Sequence, residues 1–250
     1  MGHNHSHFNS KDAVAHVVEK QAQGIFDATE IHGTEIPGHW SAATDAAKET
    51  SIVILTVWEL LVELDIPDFQ IFKVLGVFAA AWLVWKSGRS AWLGWSRLER
   101  LHRIIAQEKW EIDHHRGQER EELKALYQAK GFEGKLLEDV VDTLMADGDR
   151  LLKVMVEEEL GLSLESHEHP IKQSFGAAVG TIIATGICAL GFVTYPTWGI
   201  LYATLLVIGA AAGLSSRYES NRTIPAVVWN IGIAVLTYGT VHNLIKFFIK

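Results

Sequence analysis

The chain has 250 residues, of which 48% are hydrophobic and 21% are charged, and its formal net charge is −8. This acidic balance argues against a nucleic-acid-binding protein, because no basic surface is available to offset phosphate repulsion. Cys188 is the single cysteine, which excludes an intramolecular disulfide framework and a thiolate zinc site.

The charged residues are concentrated in one block. Residues 98–170 contain 18 acidic and 10 basic residues, whereas Lys172 is the only charged residue in 171–214. Such segregation predicts an all-α integral membrane protein that carries a polar domain. We expect four regions: a polar N-terminal region in 1–48, two membrane helices in 49–97, the polar domain in 98–170 and three membrane helices in 171–250.

We expect no cleaved signal peptide, because no apolar stretch follows a basic start in the N-terminal region. Within residues 11–47, valines recur at helical spacing and predict an amphipathic helix on a membrane surface. His3, His5 and His7 fit either the capture of a metal ion or an unstructured start, and the sequence leaves both interpretations open.

The first predicted membrane helix is short and carries acids. The apolar run at 51–66 has only about 16 residues, fewer than the ~20 that cross a bilayer. Ionisable side chains inside a membrane are costly and mark ion paths, although a short segment can also place its acids among the outer headgroups. The candidates for an ion path are Glu49, Glu59 and Glu63.

The second membrane helix is predicted at 69–95, where several tryptophans accompany Lys86 and Arg89. This pattern is typical of a membrane interface, with long cationic side chains reaching towards the headgroups. Three more apolar helices follow the polar domain. Their glycines, four residues apart, either allow close helix contacts or simply reflect the frequency of Gly in membrane helices. The pairs are Gly176 with Gly180 and Gly209 with Gly213.

Basic residues are unevenly distributed over the predicted loops. They follow the second helix and lie between the fourth and fifth, and they are absent from the loops ELDIPD and TYPT. The positive-inside rule therefore predicts that the N-terminus and the polar domain are cytoplasmic. Five membrane helices then leave the C-terminus on the opposite side.

Within the polar domain, residues 96–129 contain no proline and predict one continuous helix, which Gly131 ends. Five potential metal ligands fall within an arc of roughly 80° on this helix and form a row about 21 Å long. Like charges at this spacing repel, so the row predicts bound cations, basic side chains from a neighbouring helix, or an ordinary solvated face. The five residues are Glu108, Glu111, His115, Glu119 and Glu122.

Two shorter helices are predicted at about 135–145 and 149–160. On the second of them, Met155 and Glu159 are four residues apart and share a face. A thioether beside carboxylates and an imidazole suits a borderline ion such as Fe²⁺ better than Mg²⁺ or Ca²⁺, although Met155 fits an apolar core equally well. The apolar face of the first short helix is predicted to be Leu136, Val140, Val141 and Leu144.

Several motifs within 108–192 resemble the vacuolar iron transporter family. They are two E-x-x-E motifs, the passage ELKALYQAKGF and M-x-x-x-E-L-G-L, followed by a proline and a membrane helix rich in small residues. The resemblance implies a homodimer of five-span subunits that exports Fe²⁺ from the cytosol in exchange for protons. It also implies that a cytoplasmic three-helix domain binds the ion through Glu108, Glu111, Glu119, Glu122, Met155 and Glu159.

Two functions are compatible with these observations. The first is a transporter of Fe²⁺ or Mn²⁺, with Zn²⁺ as a further candidate ion, a lipid bilayer and a second copy of the chain as partners, and no organic cofactor. The second is a membrane-anchored protein that buffers or senses iron without conducting it. An enzyme is not expected, because no nucleophile–base motif or phosphate-binding loop supports a hydrolase or an ATP-driven pump.

Overall fold

The computed structural model describes residues 38–159 and 169–248, and the regular elements in these ranges are helices. The predicted all-α class is therefore confirmed. The helices are α1 (His39–Glu63), α2 (Asp68–His114), α3 (Arg116–Ala129), α4 (Gly134–Met145), α5 (Gly148–Val154), a π-helical turn (Met155–Glu159), α6 (Pro170–Thr194), α7 (Gly199–Tyr218) and α8 (Thr223–Phe248). The histidines His3, His5 and His7 and most of the amphipathic helix predicted within 11–47 lie outside the described residues.

The chain divides into two compact units. Among the described residues, the polar unit comprises 96–159, and the membrane unit comprises 38–95 and 169–248. Four helices, α2, α6, α7 and α8, are long and apolar enough to cross a bilayer. The protein is therefore a multi-pass integral membrane protein. In agreement with this, α8 exposes large apolar side chains along its length, including Ile224, Val228, Trp229, Leu236 and Phe247.

Helix α1 lies among the other helices of the membrane unit. The indole N–H of Trp82 in α2 donates to the hydroxyl of Thr50 at 3.1 Å. The Thr50 hydroxyl also lies 3.5 Å from the hydroxyl of Thr181 in α6. The hydroxyl of Thr204 in α7 donates to the carbonyl of Ser51 at 3.2 Å. These polar contacts, together with an apolar cluster that includes Ile54, Leu55 and Trp58, bury one side of α1.

The bounds of α1 correct two sequence predictions. The helix has 25 residues and spans His39–Glu63, so residues 51–63 of the apolar run form only its second half, and residues 64–66 lie beyond it. Residues 39–48, which were assigned to the polar N-terminal region, belong to this helix. Helix α1 is not among the four apolar helices named above, and it carries charged residues at Asp45, Lys48, Glu49, Glu59 and Glu63.

One of the two glycine pairs permits a close helix contact. A Cβ atom added to Gly176 or Gly180 would lie 2.9 Å from the Cα of His39 or Ala43 and closer still to their carbonyl oxygens. Only glycine therefore lets α6 approach the backbone of α1 here. At Gly209 and Gly213 the nearest atoms lie at 3.5 and 3.8 Å, an ordinary contact distance, which fits the other interpretation, that Gly is frequent in membrane helices.

The polar unit has its own apolar core. Helix α3 ends as predicted at Gly131, whose φ of +90° belongs to the left-handed region. The N–H of Phe132 donates to the carbonyl of Tyr127, and the N–H of Gly131 donates to the carbonyl of Gln128. These two hydrogen bonds form a Schellman motif.

The prediction that Leu136 belongs to the buried apolar face of α4 is wrong, because its side chain is 60% exposed. The core contains Ile112, Leu123, Leu137, Val141, Leu151 and Met155.

Candidate metal centre

The helix predicted over 96–129 is broken at His115. Helix α2 ends at His114, and α3 begins at Arg116, with His115 between them at φ −125° and ψ 31°. The carbonyl of His115 accepts the N–H groups of Gln118 and Glu119 and so starts the new helix. The prediction of one continuous helix, and of a straight row of ligands along it, is therefore wrong.

This break brings acids from two helices together. Carboxylate oxygens of Glu108 and Glu111 in α2 and of Glu119 in α3 lie within 4.8 Å of one another. On a continuous α-helix, residues 108 and 119 would be about 16 Å apart at 1.5 Å per residue. We call Glu108, Glu111 and Glu119 the carboxylate cluster.

The carboxylate cluster is largely shielded from solvent. Glu108, Glu111 and Glu119 are 2%, 9% and 0% exposed. Removing carboxylates from water is costly unless charge and hydrogen bonds compensate them, and neighbouring carboxylates also repel. Gln107 donates one hydrogen bond to Glu111, at 3.2 Å. Three converging carboxylates form a group that is chemically suited to a divalent cation.

The other predicted ligands are Glu122, His115, Met155 and Glu159. Glu122 is buried, although it is not a member of the cluster. His115 is half-buried, and its ring meets that of Trp110 edge to face at 5.5 Å. Met155 lies in the apolar core with Ile112 and Leu123, the sequence neighbours of Glu111 and Glu122. The helix predicted at 149–160 instead consists of α5 and the π-helical turn, and the side chain of Glu159 is outside the described residues.

Other acids of the polar unit pair with cations near its surface. Glu138 bonds to Lys124 and to Arg120, the latter at 3.1 Å. The hydrogen bonds from Lys124 and then Arg120 hold the pKa of Glu138 below its ordinary value. Lys130 similarly pairs with Glu158. These acids are at least 40% exposed, unlike the members of the carboxylate cluster.

In the membrane unit, the predicted ion-path acids separate into two sites. Glu59 and Glu63 have carboxylate oxygens within 4.8 Å of each other and of a ring nitrogen of His242 in α8. Sequence analysis missed His242, although an imidazole within an apolar membrane helix was an available signal. Glu49 instead forms an ion pair of 2.7 Å with Lys86. Lys86 is 5% exposed, so the prediction that it reaches towards the headgroups is wrong.

The fold and these sites define an integral membrane protein with a compact polar unit that contains a buried carboxylate cluster. Residues 95–242 match a family model described as the VIT family, which confirms the resemblance found in the sequence. The match covers more than half of the 250-residue chain, and the chain belongs to this family. Membership indicates transport of metal or other ions across a membrane. A search of curated proteins gave no match.

Proposed function

We propose that the protein carries Fe²⁺ or Mn²⁺ out of the cytosol in exchange for protons, as a homodimer. The observation that carries this proposal is the buried carboxylate cluster in a chain of the VIT family. Three carboxylates in this arrangement favour a divalent cation, and oxygen ligands suit Mn²⁺ as well as Fe²⁺. The cluster captures the cytosolic ion before it crosses the membrane.

The remaining predicted ligands adjust this site towards transition metals. Glu122 and Met155 are each 1% exposed and belong to helices that surround the core of the polar unit. A thioether near carboxylates favours Fe²⁺ over Mg²⁺, which accepts oxygen ligands almost exclusively. We assign Glu122, Met155 and His115 to the outer part of the site, as ligands or as residues that orient the carboxylate cluster. Glu159 is a further ligand that the family resemblance implies.

Helix α1 acts as the fifth membrane span in this proposal. Its 25 residues extend about 37 Å at 1.5 Å per residue, which exceeds the ~30 Å hydrocarbon core of a bilayer. Its charged side chains are tolerable because α1 packs among other helices, where intramembrane charges face protein and not lipid. With five spans, the distribution of Lys and Arg places the N-terminus and the polar unit in the cytosol and the C-terminus on the other side.

Flux measurements test this function. The full chain is reconstituted into liposomes that contain a metal-sensitive dye, and Fe²⁺ or Mn²⁺ is added with and without a proton gradient. We expect metal influx that a proton gradient accelerates and that Glu119→Gln reduces strongly. Glu121→Gln is the matched control, because Glu121 is adjacent but exposed. Absence of metal flux under every gradient would contradict a transport function.

One observation favours a second candidate function, a membrane-anchored metal buffer or sensor. Lys86 places a buried cation inside the membrane unit, and a positive charge opposes the passage of a divalent cation. Its ion pair with Glu49 offsets this charge. Metal binding by the polar unit without any flux would support the buffer or sensor.

A further inference from the structure

A second group of metal-ligating side chains lies in the membrane unit. Glu59 and Glu63 belong to the last turns of α1, and His242 lies near the end of α8. One carboxylate oxygen from each glutamate and one ring nitrogen of His242 lie within 4.8 Å of one another. Glu59 is 2% exposed, and the His242 side chain is 30% exposed. We call these three residues the membrane triad.

The surroundings of the membrane triad are electrostatically suited to a cation. The C-terminal end of a helix carries a partial negative charge, and the last turn of α1 contains no basic residue. Glu59 and Glu63 add two carboxylates at this end, close to the apolar cluster that contains Leu55 and Trp58. Glu59 is buried beside these apolar side chains, where a carboxylate is costly unless positive charge or hydrogen bonds compensate it.

The distances fit a single small ion. Three ligand atoms that each lie about 2.0–2.2 Å from one metal ion are at most about 3.8 Å from one another. The three ligand atoms of the membrane triad lie within 4.8 Å of one another, so side-chain movements of up to about 1 Å bring all three into coordination range. The Nδ1 atom of His242 lies 2.6 Å from an Oε1 of Glu59, so an ion would enter by taking the place of this hydrogen bond.

Neighbouring groups already orient two of the ligands. The ring of Tyr238 stacks on that of His242, with centroids 5.8 Å apart. The side chain of Tyr238 also interacts with the carboxylate of Glu59. Ligating carboxylates and imidazoles are commonly held by such outer contacts, which fix ring and carboxylate orientation.

We infer that Glu59, Glu63 and His242 form an intramembrane binding site for a divalent transition metal, separate from the carboxylate cluster of the polar unit. Two carboxylates and one imidazole suit Mn²⁺, Fe²⁺, Co²⁺ or Zn²⁺ and disfavour Mg²⁺ and Ca²⁺, which prefer oxygen ligands alone.

The position of the membrane triad gives the site a role. Glu59 is four residues from the end of α1 and His242 six residues from the end of α8, so these two C-terminal ends meet. With a cytosolic N-terminus, as the proposed function requires, this is the end of the membrane unit away from the cytosol. The membrane triad is then the last site that the transported ion occupies before release.

The experiment isolates this site in the full chain. Glu108, Glu111, Glu119 and Glu122 are first replaced by Gln, which removes the carboxylates of the polar-unit site. Equilibrium dialysis of the detergent-solubilised protein with Co²⁺ then measures binding by the membrane unit. We expect about one ion per chain, and at least about tenfold weaker binding after Glu59→Gln, Glu63→Gln or His242→Gln.

Asp65→Asn is the matched control. Asp65 is an exposed acid two residues beyond Glu63, and asparagine tolerates its left-handed backbone, at φ 55°. This variant should bind Co²⁺ as the parent does. Loss of the imidazole should also change the visible absorption of bound Co²⁺, because a nitrogen ligand is removed. No retained Co²⁺ in the parent, or unchanged binding after His242→Gln, would overturn the inference.

A second measurement does not depend on the folding of any triad variant. In the same parent protein, Co²⁺ should protect His242 from modification by diethyl pyrocarbonate, as read by peptide mass spectrometry. Equal modification with and without Co²⁺ would overturn the inference. Flux measurements distinguish this inference from the proposed function. Binding of Co²⁺ at the membrane triad without metal flux would contradict only the transport function, and metal flux without Co²⁺ binding would contradict only the proposed membrane site.

Discussion

The Nδ1 atom of His242 lies 2.6 Å from a carboxylate oxygen of Glu59, although the two residues are 183 positions apart in the sequence. This contact joins the last described helix, α8, to α1. Few side chains of α8 are otherwise buried, Ala234 and Ile245 being the ones in its described part. The contact therefore links α8 to α1 by a polar interaction, in addition to the packing of α8 against α7.

We expect the two residues to be energetically coupled in the metal-free protein. His242→Asn and Glu59→Gln should each lower the thermal midpoint in the presence of a chelator, and the double variant should lower it by less than their sum. Directly interacting residues show coupling free energies of about 0.5–3 kcal/mol. Asn243→Ala is the control, since this exposed side chain bonds only to Gly239 within its own helix. Strict additivity of the two changes would contradict the contact.

Gly180 should be irreplaceable at the contact between α1 and α6. A Cβ atom there would overlap the backbone of Ala43, which cannot rotate away as a side chain can. We expect Gly180→Ala to destabilise the protein by at least the ~1–3 kcal/mol typical of overpacking. Gly186→Ala on the same helix meets no atom within 4 Å and should be tolerated. Thermal unfolding in detergent compares the two, and equal midpoints would show that the helices are not in close contact.

Glu119 should favour metal binding at the expense of stability. Glu119→Gln removes one charge from the carboxylate cluster and therefore its repulsion with Glu108 and Glu111. We expect metal affinity to fall at least about tenfold and the metal-free thermal midpoint to rise, by about 2–4 °C for each kcal/mol gained. Glu121→Gln should change neither quantity. A lower metal-free midpoint for Glu119→Gln would indicate that this residue is a structural partner and not a ligand.

Glu138 should stabilise the polar unit only above acidic pH. Its pKa in the folded protein lies below the ordinary value of 4.5, because Lys124 and Arg120 bond to the ionised form. Such a carboxylate contributes its full stabilisation above about pH 4.5 and loses it as the pH falls through the lowered pKa. Glu138→Gln should thus lower the thermal midpoint near neutral pH and have progressively less effect in acid. Asp139→Asn, on an exposed neighbour, is the control, and a pH-independent difference for Glu138→Gln would refute the expectation.

Local patterns in the sequence were sufficient for the class of protein. The apolar runs that became α6, α7 and α8 are long enough to satisfy their own backbone hydrogen bonds in lipid, which makes them recognisable without knowledge of their neighbours. The end of α3 at Gly131 was equally predictable, because a glycine is needed at a left-handed position after a helix. The two E-x-x-E motifs indicated the correct family for the same reason: they are short and local.

Contacts between distant residues were decided only by the tertiary structure. Near His115 the sequence offers no proline and one isolated glycine, Gly117, which a helix can accommodate, and yet the break turns a row of acids into a cluster. In the sequence, Lys86 and Glu49 are charged residues of two different predicted regions, and only packing places their side chains 2.7 Å apart. The sequence by itself determined which segments are apolar and that α6, α7 and α8 are helices, because those properties depend on neighbouring residues. The tertiary structure decided which charges meet, because the energy of a buried charge depends on its spatial partners and not on its position in the chain.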